Sequence, residues 1–382
     1  MLDIESLRLI WWLLLGVLLV GFAITDGFDF GAAFLLPFVA KKEAERRIVL
    51  NAVGPFWEGN QVWIVLGAGA IFAAWPPVYA VAFSGFYLLI LLLLLTMGIS
   101  RPVSFKYRSK LPNHFWRRFW DFVVFTGGLF PAVIFGILIG NTLMGVPFYF
   151  DNNLMIHYAG TFFDLFHPFA LWCGLTSLMM LTMHGGLYLA IKTENPIRDR
   201  AIYYSRMAAF LMIICFAVGG VWIAKGIMGY EVAGGVDPYG YSNPLHKSVT
   251  SATGAWLQNY SRYSLSLLAP LLAFIGAFSA MLTARFRNSL FAFCCSSVSI
   301  LGVIATVGVS MFPFILPSSN NLTSSLLVWD SSSSELTLLL MLFAVLIFMP
   351  MILLYTSWAY YVLRGKVRQE DVEVQAKKQA AY

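Results

Sequence analysis

The chain has 382 residues, of which 59% are apolar and only 12% charged, against about 25% charged in ordinary soluble domains. With a mean hydropathy of +0.75, this composition excludes a soluble globular protein and describes a polytopic membrane protein. The net charge of +6 does not point to nucleic acid, because Lys and Arg sit in short clusters between apolar runs and build no basic domain.

Nine apolar segments reach the roughly 20 residues needed to cross a bilayer. They cover 9–39, 49–75, 78–99, 119–143, 168–191, 204–228, 265–284, 290–313 and 336–363. The first follows Asp3, Glu5 and Arg8, lacks a basic leader and far exceeds the roughly 7–15 residues of a signal-peptide core, so it is expected to be a retained helix. When alternate connections are grouped, one side of the membrane holds 21 of the 25 Lys and Arg residues. Basic residues are retained in the cytoplasm, so the N-terminus is expected outside and the C-terminus, with the tail 364–382, inside. The outer connections 145–167, 229–264 and 316–335 are too short for separate soluble domains.

The first two segments carry the unusual chemistry. Thr25-Asp26-Gly27-Phe28-Asp29-Phe30-Gly31 in one faces Trp57-Glu58-Gly59-Asn60-Gln61-Val62-Trp63 in the other. At about 1.5 Å rise per residue, Asp29 lies roughly 15 Å from the inner end of its helix, Asp26 roughly 20 Å, and Glu58 roughly 16 Å along the returning one. Asp26 and Asp29 are three apart and share a helix face. Carboxylates crowded in low dielectric cannot all be ionised, so at least one is expected to hold a proton near neutral pH. A group that exchanges protons inside a membrane is what a proton path requires. The competing reading is structural: the acids cap kinks at Gly27, Gly31 and Gly59, or pair with a buried cation. Arg101, after the third segment, either snorkels to the cytoplasmic interface or compensates these acids. Asn60, Gln61, Trp57 and Trp63 can hydrogen-bond water or flank a quinone ring, or serve as interfacial anchors.

Redox ligands are scarce. Of five histidines only His184 lies well inside a segment, with His167 at the start of the same one. Two histidines 17 residues apart on one helix cannot share a haem iron. The four cysteines, Cys173, Cys215, Cys294 and Cys295, lie in apolar runs without metal spacing and read as packing residues.

Several motifs resemble one family. They are TDGFDFG at 25–31, WEGNQVW at 57–63, AAWPPVYAVAFSGFY at 73–87, RPVSFKYRSK at 101–110, GVPF at 145–148, FPFILPSS at 312–319 and VWDSSSSELTL at 328–338. Together they resemble subunit II of the cytochrome bd-type ubiquinol oxidases. The resemblance implies an all-α fold of two four-helix bundles, about 7–143 and 165–313, with a peripheral helix at 336–363. It implies a bacterial inner-membrane oxidase that takes electrons from quinol and reduces dioxygen to water. Haem b and haem d, and the quinol-oxidising loop, would belong to the partner, subunit I, with small single-helix subunits as further candidates for attachment. The resemblance also implies a cytoplasmic proton route through Asp26, Asp29 and Glu58, a bound ubiquinone near Trp57, Gln61 and Arg101, and a dioxygen path near Trp63. Many members carry Asp where this chain has Glu58, and an acid after Arg-Pro where it has Lys106.

Two other classes stay open on the residues alone. A proton-coupled transporter would use the same acids at glycine-broken helices. A scaffold would use them only to assemble with a partner helix.

Overall fold

The computed structural model describes residues 3–368 and 370. Helix α1 (Ile4–Val39) opens the chain, its N-terminus capped by Asp3, whose carboxylate accepts from the Ser6 N–H at 3.0 Å. At 36 residues it is about 54 Å long, more than a bilayer is thick, and its N-terminal end is anchored by the loops. There Arg8, fully buried, donates to Pro238 O at 2.6 Å, Ser332 Oγ at 2.8 Å and Gly240 O at 3.0 Å.

The second and third segments differ from the expected 49–75 and 78–99. Gly54 and Pro55 end α2 (Glu43–Val53), and a new helix starts as α3 (Trp57–Asn60) and runs on as α4 (Val62–Ala74). Pro76 and Pro77 then start α5 (Pro76–Gly85), bent 120° from the helix before it. The next span is α6 (Tyr87–Leu93), a π-helical turn over Leu94–Ser100, and α7 (Arg101–Tyr107), continuous over 21 residues. Arg101 therefore lies inside a span instead of at its edge. The remaining long helices are α8 (His114–Met144), α9 (Pro168–Lys192), α10 (Ile197–Lys225), α12 (Leu268–Arg285), α13 (Ser289–Met311) and α14 (Glu335–Val362), with a short α11 (Gln258–Arg262) in a loop. Among the described residues eight helices are long and apolar enough to cross a membrane, and up to nine spans result if the bent pair is counted as one.

Helix α9 is the central post, packed by α1, α8, α10 and α13. Its contact with α1 is backbone on backbone, because a Cβ on Gly31 would run into the Leu181 carbonyl and one on Gly185 into Gly31 itself. In lipid, where burying apolar surface gives no drive between helices, such small-residue seams let backbones approach and gain dispersion contacts. The glycines of α1 thus serve packing, and the helix passes through Gly27 and Gly31 unbroken.

All five basic segments meet at one end of the molecule. Arg108 pairs with Glu43 at 2.9 Å and Asp121 at 2.5 Å, and Arg46 with Asp121 at 2.7 Å. Arg200 pairs with Glu45 at 2.8 Å, Arg287 with Asp199 at 3.4 Å, and Lys366 with Glu194 at 3.8 Å. At the opposite end the three longer loops form antiparallel pairs: β1 (Phe148–Phe150) with β2 (Ile156–Tyr158), β3 (Met228–Gly234) with β4 (Ser248–Thr253), and β5 (Phe314–Leu316) with β6 (Leu326–Leu327). A buried Lys247–Asp330 pair at 2.6 Å ties two of these loops together.

The first loop is expected to loosen in acid. Met155 and Asn153 N–H groups donate to Asp151, and the Thr161 N–H and hydroxyl donate to Asp164. These bonds favour the ionised form and hold both carboxyls below their ordinary value of 3.8. A depressed carboxyl contributes stability above its unfolded value and loses it as pH falls through the folded one. Hydrogen exchange should show protection of the Asn153, Met155 and Thr161 amides intact at neutral pH and lost below about pH 4. Protection unchanged far below that value would contradict the assignment.

Candidate functional site

The site forms where α1, the start of the α3–α4 span, the π-turn and the foot of α14 meet. Asp26 and Asp29, one helical turn apart on α1, are both fully buried. The π-turn sets Arg101 against them: its wider ring, closed by the Arg101 N–H donating to Thr96 O, changes the facing of the residues that follow. Arg101, also fully buried, donates from Nη2 to Asp26 Oδ1 at 2.8 Å and lays its guanidinium 4.6 Å from the centroid of the Phe30 ring. Of the two readings of Arg101, the structure takes compensation.

Asp29 receives no cation of its own. Asn60 Nδ2 donates to Asp29 Oδ2 at 2.8 Å and to Thr25 O at 3.1 Å, and Asn60 Oδ1 accepts from the Tyr360 hydroxyl at 2.7 Å. Asp26 Oδ2, Asp29 Oδ1, and Arg101 Nε and Nη1 are buried and find no protein partner among the described residues. The two carboxyl groups lie within hydrogen-bond reach of each other, so one proton shared between them would give each a partner, as buried polar groups ordinarily have.

Glu58 does not join the two aspartates. Asn60, two residues beyond it, touches Asp29, so the levels agree as expected. Residues two apart on a helix point nearly opposite ways, so Glu58 turns outward, its side chain 67% exposed and 3.9 Å from Lys106 Nζ. Trp57 is buried against Phe105, the rings parallel within 14° at 6.1 Å. Gln61 Nε2 donates to Met97 O in the π-turn at 3.0 Å. Trp63 is buried beside α1, its ring where a Cβ on Gly21 would lie.

His184 is committed elsewhere. Its Nε2 faces Ile24 O at 2.9 Å, so that nitrogen carries the proton, and its Nδ1 lies 2.7 Å from Ser296 Oγ. With both nitrogens engaged and Phe293 stacked on the ring at 4.3 Å, it ties α9 to α1 and α13 and does not fit a haem axial position. Among the described residues no group of three or more His, Cys, Asp and Glu side chains is placed to hold a metal. Sequence reading missed Tyr360. It lies among Tyr355, Trp358 and Tyr361 near the end of the last span, where aromatic residues ordinarily mark the membrane interface.

Comparison with known proteins bears on this site. Residues 7–363 match the family described as cytochrome bd terminal oxidase subunit II. The chain is 44% identical over 373 residues to cytochrome bd-I ubiquinol oxidase subunit 2 of Escherichia coli (strain K12), covering 98% of each chain. It is 46% identical over 367 residues to a probable cytochrome oxidase subunit 2 of Haemophilus influenzae, covering 96% of this chain and 97% of the relative. Among solved structures, a chain of the bd oxidase from Geobacillus thermodenitrificans shares the fold, with a TM-score of 0.60 at 17% identity over 94% of this chain and 97% of that one.

Proposed function

The chain belongs to the cytochrome bd terminal oxidase subunit II family, and from that premise we propose that it supplies its oxidase with a proton route through Glu58, Asp29 and the Asp26–Arg101 pair. It is a subunit of an oxidoreductase complex of the bacterial inner membrane, a haem-containing oxidase in which it accompanies a subunit I. Reducing one dioxygen to two waters consumes four electrons and four protons. In this reading quinol supplies the electrons to haem b and haem d on subunit I, and the cytoplasm supplies the protons.

The observation that carries the proposal is the buried carboxylate pair with one cation between two acids. Arg101 neutralises Asp26, which leaves Asp29 as the group free to take and release a proton. The Asp26 and Asp29 side chains are within hydrogen-bond reach of each other, which supports a proton held and passed between them. Glu58 supports the same reading from outside. A carboxylate cannot rest against hydrocarbon without a cost of several kcal/mol, so its exposed face is the one we assign to subunit I. Protons enter there and pass inward across α3.

Orientation with the basic end in the cytoplasm, and division into bundles at 7–143 and 165–313 with 336–363 peripheral, belong to the same proposal. So does a ubiquinone near Trp57, Gln61 and Arg101, in a structural role, since among the described residues no group of three or more His, Cys, Asp and Glu side chains is placed to hold a metal. Attachment of small single-helix subunits belongs to it as well. Against the transporter alternative, α1 runs unbroken past both aspartates, so of the acid-bearing segments only that of Glu58, restarted after Gly54 and Pro55, is interrupted.

The test is purification of the complex through a tag on this chain. Haem bands in the reduced-minus-oxidised spectrum with quinol-dependent oxygen uptake are expected. Glu58→Gln should lower that uptake by about a hundredfold or more, the lower end of what a positioned acid–base group contributes, with haem content intact. A colourless preparation, or unchanged turnover with full proton uptake in Glu58→Gln, would contradict the proposal.

A further inference from the structure

Helix α14 is the least enclosed of the spans, and Leu338 and Leu342 are its only buried residues among those described. Yet near its basic end it sends one polar side chain inward. The Tyr360 hydroxyl donates to Asn60 Oδ1 at 2.7 Å, while its ring stacks on Phe56 at 4.6 Å and meets Phe28 edge-on at 6.4 Å. The chain just beyond is held by α9. Lys192 Nζ donates to the Leu363 and Gly365 carbonyls, and the Val367 N–H donates to Lys192 O at 2.9 Å. Tyr360 is thus clamped on both sides, by a ring stack and by a capped helix end.

Its effect passes through an amide with two distinct ends. The phenol hydrogen fixes the Asn60 carbonyl toward α14, which leaves both amide hydrogens facing α1, on Asp29 Oδ2 and Thr25 O. A reversed amide would set its oxygen against two acceptors on one side and its hydrogens against the phenol hydrogen on the other. Donation into the carbonyl also polarises the amide and strengthens its own donation onward.

We propose that Tyr360 is a positioning residue of the carboxylate site: its hydroxyl holds the Asn60 amide with its donors on Asp29, so the outermost helix governs how readily Asp29 takes and gives protons. The inference rests on Asp29 as the proton-carrying group of the proposed route. It makes α14 a functional element, because the position of its foot is felt at the acid through two hydrogen bonds.

The test is a double-substitution cycle in the assembled oxidase. Tyr360→Phe keeps the ring stack and removes only the hydroxyl, and Asn60→Leu removes the amide. Two quantities are read: quinol-driven oxygen uptake, and the Asp29 carboxyl band in infrared spectra of aspartate-labelled complex, identified by subtracting Asp29→Asn. With haem content unchanged, Tyr360→Phe should slow uptake roughly fivefold, the loss of one ordinary hydrogen bond, and displace the Asp29 band. In the Asn60→Leu background the same substitution should change neither, since coupled residues are not additive. Equal losses in both backgrounds, or an unmoved band in Tyr360→Phe, would overturn the inference, and the single variant's band decides if Asn60→Leu fails to assemble. Full turnover in Asp29→Asn would sink the proton route instead, while the band still reports whether Tyr360 acts on Asp29.

Discussion

Arg101→Leu is expected to remove the assembled complex from the membrane. The substitution leaves Asp26 without its cation in a fully buried site, where Arg101 now meets it at 2.8 Å. Removing one partner of a buried ion pair costs about 3–5 kcal/mol, because the other charge stays desolvated and unpaired. That is a large share of the roughly 5–15 kcal/mol by which folded proteins are stable. Haem content and subunit stoichiometry after tag purification measure the loss. The cause is separable from simple packing, because Arg101→Leu combined with Asp26→Leu replaces the pair by apolar groups, and such replacements are often neutral or stabilising. The double variant should assemble where the single one fails. Equal failure of both would assign Arg101's importance to shape and not to charge.

Asp29→Asn should do the reverse, leaving assembly intact and stopping turnover. Asn60 Nδ2 reaches Asp29 Oδ2 at 2.8 Å, and an asparagine at position 29 can accept that bond through its own carbonyl, so the local structure has little reason to change. What is lost is the ability to carry a proton. Positioned acid–base groups are worth about 10²–10⁴ in rate, so oxygen uptake is expected to fall at least a hundredfold with haem content unchanged. Asp29→Glu, which restores a carboxyl, should recover part of the activity. Turnover within twofold of the unsubstituted enzyme in Asp29→Asn would show that protons reach the oxygen-reducing site another way.

The site was half legible in the sequence. Asp26 and Asp29 at i and i+3 could be placed on one helix face from spacing alone, and α1 has that face turned inward. Glu58 was legible in depth and not in direction. Its depth follows from residue rise, whereas its facing depends on where the helix begins, and Gly54 and Pro55 restart that helix at Trp57. The third span was misplaced for a related reason. An arginine ordinarily ends an apolar run, which sets the expected border just before Arg101, but pairing with Asp26 lets it sit inside, and the span extends to Tyr107. A π-turn leaves no mark in hydropathy, so the rotation that brings Arg101 onto α1 was not readable. Tyr360 was hidden by company: four aromatic residues close together read as an interfacial belt, and nothing in their spacing shows that one faces a polar cluster.

The fold was legible where chemistry repeats. Apolar length gives the segments and positive charge alternating between connections checks their number, and the structure pairs basic residues of those connections with acids in separate ion pairs at one end, from Arg108–Glu43 to Lys366–Glu194. The α1–α9 seam was not, because nothing in the spacing of TDGFDFG shows that Gly31 faces Gly185 on a helix about 150 residues away.

The measurement that bears most directly on the proton route is proton uptake from the cytoplasmic side during a single turnover with oxygen, followed with a pH dye in the complex bearing Asp29→Asn. The account predicts that electrons still reach the haems while proton uptake is slowed about a hundredfold or more. Uptake as fast as in the unsubstituted complex would contradict it, and would leave the buried pair with a role in assembly alone.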